Sequence, residues 1–198
     1  MLSERFTQAV DYAREAHALQ TRKGTSVPYI AHLLGVASLV LEYGGDEEQA
    51  IAALLHDTVE DQGEHHEQLI RNQFGERVAD IVMACTDGTR ESKAAPQTHE
   101  QRRADWTRRK HDYLAHLAHA SDDALLVSAC DKLHNARAIL ADLHDPAIGE
   151  AVFDRFTGGR DGTLWYYREI ARIFFERGSR LAAELKAAAT DMAGSAAH

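Results

Sequence analysis

Apolar residues recur at spacings of three and four along nearly the whole chain, and no segment shows the strict alternation of a half-buried strand. That pattern predicts amphipathic helices sharing a core. Ser3, a good N-cap, opens a helix to about Gln20 with Phe6, Val10, Ala13 and His17 on one face. TRKGTSVPY (21–29) then reads as a loop, broken by Gly24 and Pro28. A second helix covers about Ile30 to Tyr43 and stops at Gly44-Gly45. A third starts near Asp46 and carries Ile51, Leu54 and Leu55 up to His56-Asp57. Two more follow, over about Glu64 to Phe74 and Glu76 to Thr86, ending at Gly75 and at Asp87-Gly88. The polar stretch GTRESKAAPQTHE (88–100) reads as a mobile loop. Helices over about Glu100 to Ala118 and Asp122 to Leu143 come next, the first turning Trp106, Tyr113, Leu114 and Leu117 inward. After Pro146, a short helical piece and the Gly-rich turn TGGRDGT (157–163) lead to a last helix, about Leu164 to Ala189.

An all-α fold follows, and 198 residues suit one domain, placed over 1–190. The end of the chain is small and polar from Ala187 onward and is expected to fray, with 191–198 a disordered tail. Cys85 and Cys130 are far apart and form no CxxC, which fits a reducing cytoplasm better than a disulfide framework. No signal-peptide core and no membrane-length apolar run is present, so the expectation is a cytoplasmic protein without a membrane partner. The net charge of −9 disfavours a nucleic-acid polymer as partner, while a small anionic ligand stays open if a cation and a few basic side chains reverse the local potential. The aromatic residues in WYYREIARIFFERG (165–178) leave room for a homo-oligomer.

The densest chemistry lies in LLHDTVED (54–61), where an apolar helix runs into His56, Asp57, Glu60 and Asp61. Imidazole nitrogen with carboxylate oxygen suits a divalent ion such as Mn, Fe or Zn. Adjacent side chains diverge by about 100° on an ideal helix, so His56 and Asp57 can share one ion only where the helix unwinds or ends. His32 and Asp131 are two further candidate ligands. Taken singly, His32 reads as a hydrogen-bonded core histidine and Asp131 as half of a salt bridge. An unpaired carboxylate at Asp131, inside the apolar helix LLVSACDKLHNARAI (125–139), would cost several kcal/mol. Their order along the chain, His32, His56-Asp57, Asp131, is what favours a metal.

That order resembles the HD superfamily of metal phosphohydrolases. RKGTSVPYIAH (22–32), ALLHDTVED (53–61), FGERV (74–78) and DKLHNAR (131–137) further resemble the hydrolase domain of the RelA/SpoT family, in the form of a stand-alone small alarmone hydrolase. HDxxED together with DKLxN is specific where HD alone is not. The resemblance implies an HD-domain helical bundle of eight to ten helices and one Mn²⁺ ion, Fe or Zn being less favoured, on His32, His56, Asp57 and Asp131. It implies attack of metal-activated water on a purine alarmone, (p)ppGpp or (pp)pApp, with release of the 3′ pyrophosphate. Glu60 and Asp61 would be the catalytic acids, Arg22 and Lys23 would meet base and phosphate, and Tyr29 and Asn135 would line the nucleoside pocket. Arg109 or Lys110 is a candidate for the leaving pyrophosphate. Leu33 stands where the family often has proline, which predicts a shifted helix start, and Ala136 is small at an expected pocket wall. The alternatives are a phosphatase acting on another phosphomonoester, such as NADPH, and a nucleotide-sensing module without catalysis; retention of HDxxED weighs against the latter.

Overall fold

In the computed structural model, which describes residues 2–88 and 98–195, the chain forms ten α-helices and one 3-10 segment among the described residues, with no strand. The helices are α1 (Glu4–Ala16), α2 (Ile30–Glu42), α3 (Glu47–Leu55), α4 (Thr58–Gln62), α5 (His65–Phe74), α6 (Glu76–Cys85), α7 (His99–Leu117), α8 (Asp122–His144), α9 (Gly159–Glu176) and α10 (Ala182–Ser195), with the 3-10 segment at Gly149–Arg155. The fold is all-α, as the periodicity predicted. Most of the stretch expected to be a mobile loop, 89–97, lies outside the described residues. No described helix is long and apolar enough to cross a membrane, and Cys85 and Cys130 are buried and not joined in a disulfide.

Where the sequence suggested one domain, the packing resolves two compact units. The first holds the described residues up to 88 together with 120–131; the second holds 98–119 and 132–195.

The first unit is built around α3. Every residue from Gln49 to Leu55 is buried, and the alanines at 50, 52 and 53 let α1, α2 and α6 approach it closely. Each buried Leu or Ile contributes about 1.5–3 kcal/mol. Asp46 caps α3 by accepting from Gln49 N (2.9 Å), and Gln49 Oε1 accepts from Asp46 N (2.8 Å), a reciprocal capping box. The turn from α2 into α3 needs Gly45, where a Cβ would stand 2.5 Å from Val40 Cγ1 and 2.8 Å from Val40 O. The FGERV segment is structural: Phe74 is fully buried, and Gly75 at φ +91° separates α5 from α6. Arg77 then donates to Asp46 (2.7 Å), Glu48 (3.0 Å) and Asp123 (2.8 and 3.0 Å), tying α6 to the starts of α3 and α8.

The second unit has its own core of Ala136, Ile139, Leu143, Val152, Phe153, Tyr167, Ala188 and Met192. Five expectations change here. The predicted last helix is two helices, because Gly178 at φ +68° ends α9. The Gly-rich turn is already helical from Gly159, and its glycines make room for an indole: a Cβ on Gly158 or Gly162 would lie 2.5 or 3.0 Å from Trp106. The tail does not fray at Ala187, since α10 runs to Ser195 and buries Met192 completely. Ala136 belongs to the core cluster rather than to a pocket wall. The aromatic segment offered as an oligomer surface is also largely internal: Tyr166, Tyr167, Ile170, Ile173 and Phe174 are buried, and Phe175 is left 71% exposed.

Candidate functional site

The local fold decides how His56 and Asp57 converge. α3 ends at Leu55 and α4 starts at Thr58, so the pair occupies the junction between two helices, and there the two side chains converge, His56 Nε2 standing 3.1 Å from Asp57 Oδ2. His32 is the third residue of α2, which starts at Ile30, upstream of the fully buried Leu33; the missing proline has not moved the helix start beyond His32. Asp131 sits on the portion of α8 that belongs to the same unit.

These elements bring all four side chains together. His32 Nε2 lies 3.2 Å from Asp131 Oδ1 and 3.6 Å from Asp57 Oδ2. His56 Nε2 lies 3.1 Å from Asp57 Oδ2 and 3.5 Å from Asp131 Oδ1. Neighbouring ligands about 2.1 Å from one ion stand about 3.0 Å apart, so the set has the spacing of a cation's first coordination sphere. The hydrogen bonding agrees. His56 Nδ1 is 2.8 Å from Ala53 O, which fixes the ring proton there and turns the Nε2 lone pair toward two carboxylates. That Nε2 is buried and makes no hydrogen bond of sound geometry. Lone pairs facing carboxylates need a cation between them. The residues therefore fit a divalent metal, which His32, His56, Asp57 and Asp131 would hold.

Without a metal, a proton takes the cation's place. Burial acts to lower the His56 pKa, but Asp57 and Asp131 outweigh it and raise the value well above the ordinary range. Burial acts to raise the Asp57 pKa, and His56 and His32 hold it well below the usual carboxylate range. Because the ligating imidazole must be neutral, metal uptake near pH 7 should release a proton and tighten as pH rises toward the elevated His56 value. Calorimetry of Mn²⁺ binding in buffers of different ionisation enthalpy measures that proton; an apparent enthalpy independent of buffer would show that none is released.

Tyr29 caps the ligand set from outside. Its hydroxyl donates to Asp57 Oδ2 at 2.6 Å, and burial together with Asp57 and Asp61 pushes its pKa far upward. The resemblance places Tyr29 in a nucleoside pocket; its hydroxyl meets the candidate metal ligand Asp57, and its ring stacks on His17 (5.2 Å between centroids). The basic loop next to it is closed by the Thr21–Pro28 bridge and by Arg22 N donating to Val27 O (2.8 Å). Gly24 turns it at φ +74°. Arg22 Cζ lies 5.9 Å from the Tyr29 ring centroid, and Lys23 is exposed.

The acidic pair follows the metal ligands on α4. Glu60 is half-buried, and its Oε2 accepts from Asp87 N at 3.1 Å. Asp61 Oδ2 accepts from Gln20 Nε2 at 2.7 Å; burial and Asp57 raise its pKa against the lowering effect of that bond. His17 and Gln20 were not singled out by sequence. The available signal was His17 on the apolar face of α1, a buried histidine that needs a partner. In the second unit, Asn135 is one turn along α8 from Asp131, Arg109 is held by Asp105 (3.2 Å), and the Lys110 ammonium lies 4.8 Å from the Tyr166 ring centroid.

Residues 9–163 match the HD-domain family. The chain belongs to that family. Among relatives of this HD domain, the guanosine-3′,5′-bis(diphosphate) 3′-pyrophosphohydrolase MESH1 of Danio rerio is 32% identical over 88% of this chain and 94% of its own length. MESH1 of Xenopus tropicalis is 39% identical over 66% of each chain. The enzyme of the same name from Aquifex aeolicus is 48% identical over 42% of this chain, which spans 12% of that longer protein. The HD fold is also that of a solved metazoan SpoT ortholog described as hydrolysing ppGpp (TM-score 0.60, 24% identity, 90% of this chain and 98% of the other). It is shared by lmo0812 of Listeria monocytogenes (TM-score 0.64, 26% identity, 83% and 95% coverage).

Proposed function

We propose that this HD domain is a manganese-dependent 3′-pyrophosphohydrolase of purine alarmone nucleotides, with ppGpp as the leading substrate. The observation that carries the proposal is the convergence of His32, His56, Asp57 and Asp131 within 3.1–3.6 Å, followed at once by the acidic pair on α4. The names of the Danio and Xenopus relatives supply the substrate class. Two imidazoles with two carboxylates suit a borderline-to-hard ion, which supports manganese.

A bound divalent ion lowers the pKa of water and draws charge from the phosphoryl group under attack. The remaining chemistry belongs to the chain. Tyr29, by donating to Asp57, keeps that ligand's rotamer fixed. Glu60, one oxygen anchored by Asp87 N–H, takes the proton of the attacking water. Asp61 has a raised affinity for a proton and is suited to return one to the departing ribose 3′ oxygen. The 3′-oxygen–phosphorus bond breaks, water's oxygen joins that phosphorus, and pyrophosphate leaves. Arg22 and Lys23 supply positive charge for phosphates or the base face, in a chain of net charge −9. A contact of Asn135 with the nucleotide rests on the family resemblance, and one of Arg109 or Lys110 only on their place among the basic residues of α7.

The test is product analysis with Mn²⁺ on ppGpp, on its adenosine counterpart ppApp, and on NADPH. Pyrophosphate from either alarmone supports the proposal and names the base. Orthophosphate from NADPH with intact alarmones would replace it with a phosphatase, and intact nucleotides throughout would refute hydrolysis.

A further inference from the structure

We infer that Gln20 is a positioning residue that aims Asp61 and is itself locked by His17; the inference rests on the assignment of Asp61 to the reaction. α1 ends at Ala16, and His17 leaves the helix at φ −107° with its ring buried. His17 Nδ1 lies 2.7 Å from Gln20 Oε1. An amide oxygen only accepts, so the Nδ1 proton points at it, and His17 Nε2 can accept from the Thr58 hydroxyl at 3.4 Å. Gln62 Nε2 donates to the same Gln20 oxygen at 2.9 Å.

Two donors on Gln20 Oε1 settle which way the amide faces. A flipped amide would set its NH₂ against the His17 and Gln62 donors and its oxygen against the Asp61 carboxylate. The observed orientation sends Nε2–H to Asp61 Oδ2 at 2.7 Å, the one hydrogen bond made by that side chain among the described residues. Asp61 Oδ1 is left as the oxygen able to exchange a proton. The same histidine ring stacks on Tyr29, whose hydroxyl holds Asp57. The Gln20 backbone is anchored separately, its carbonyl accepting from Tyr29 N at 2.9 Å, so a side-chain substitution leaves the base of the loop tied.

Two variants test this. Gln20→Met keeps the length and removes the amide. Gln20→Glu keeps the acceptor for His17 and Gln62 but replaces the donor to Asp61 with a carboxylate. In both, kcat for pyrophosphate release should fall about 10- to 100-fold, with KM, metal content and melting temperature near wild type. In an Asp61→Asn background, changing Gln20 should cost no further activity, because Gln20 acts through Asp61. Unchanged kcat in both variants, or losses that multiply with that of Asp61→Asn, would overturn the inference. Crystal structures of wild type and Gln20→Met read it without substrate: the Asp61 carboxylate should rotate away, and an unmoved carboxylate would also overturn it. A wild type inactive on every nucleotide would bring down the functional reading instead and leave the crystallographic comparison to decide Gln20.

Discussion

Asp131→Ala should yield a folded protein that binds no stoichiometric metal and has lost at least about 10³-fold in hydrolysis, since the site then lacks the cation that would acidify its water. The change suits the site sterically: alanine is the best helix former, and Asp131 lies in the interior of α8. What disappears is the carboxylate oxygen standing 3.2 Å from His32 Nε2 and 3.5 Å from His56 Nε2. Metal content by mass spectrometry gives one readout and melting with and without Mn²⁺ a second. At a hundredfold excess of metal over its dissociation constant, binding stabilises a folded protein by about 2.7 kcal/mol. Wild type should show a rise in melting temperature with Mn²⁺, and Asp131→Ala should show none. A variant that still binds one equivalent of metal would remove Asp131 from the ligand set.

The candidate metal ligands were legible in the sequence because their chemistry is costly to misplace. An HD pair at the end of an apolar helix and a lone aspartate inside another both demand a partner, and a cation satisfies both. Helix geometry asked for an unwinding or a helix end at 56–57, and α3 ends there. FGERV could be seen as a motif, yet Arg77 reaches residues at 46, 48 and 123, far along the chain, so its clamping role needs the tertiary fold. Tyr29 and Gln20 were obscured for the same reason. The contact of the Tyr29 hydroxyl with Asp57 needs the fold to be seen, and Gln20, expected as the end of the first helix, meets Asp61 only once α4 is in place. In the second unit, local patterning failed at glycines. TGGRDGT reads as a turn from composition, whereas packing against Trp106 recruits its glycines into α9, and a single left-handed Gly178 divides an otherwise continuous helical pattern.

Glu60→Gln should separate chemistry from binding. Glutamine has the shape of glutamate and keeps an oxygen able to accept from Asp87 N, so the local backbone contact at 3.1 Å survives. Glu60 is not one of the four candidate ligands and its Oε2 is engaged by Asp87 N, so metal content and the melting shift on adding Mn²⁺ should match wild type. KM should also change little, because no binding charge on the basic loop is touched. The lost function is acceptance of a proton from the attacking water, and general-base catalysis contributes about 10²–10⁴-fold, so kcat should fall by that factor. Asp61→Asn is the companion measurement. If Asp61 returns the proton to the 3′ oxygen, its loss should matter less for substrates with a better leaving group, whereas the loss at Glu60 should persist whatever the leaving group. A Glu60→Gln enzyme turning over within about twofold of wild type would move the base elsewhere on α4, and Asp61, the next residue of that helix, would be the group to take its place.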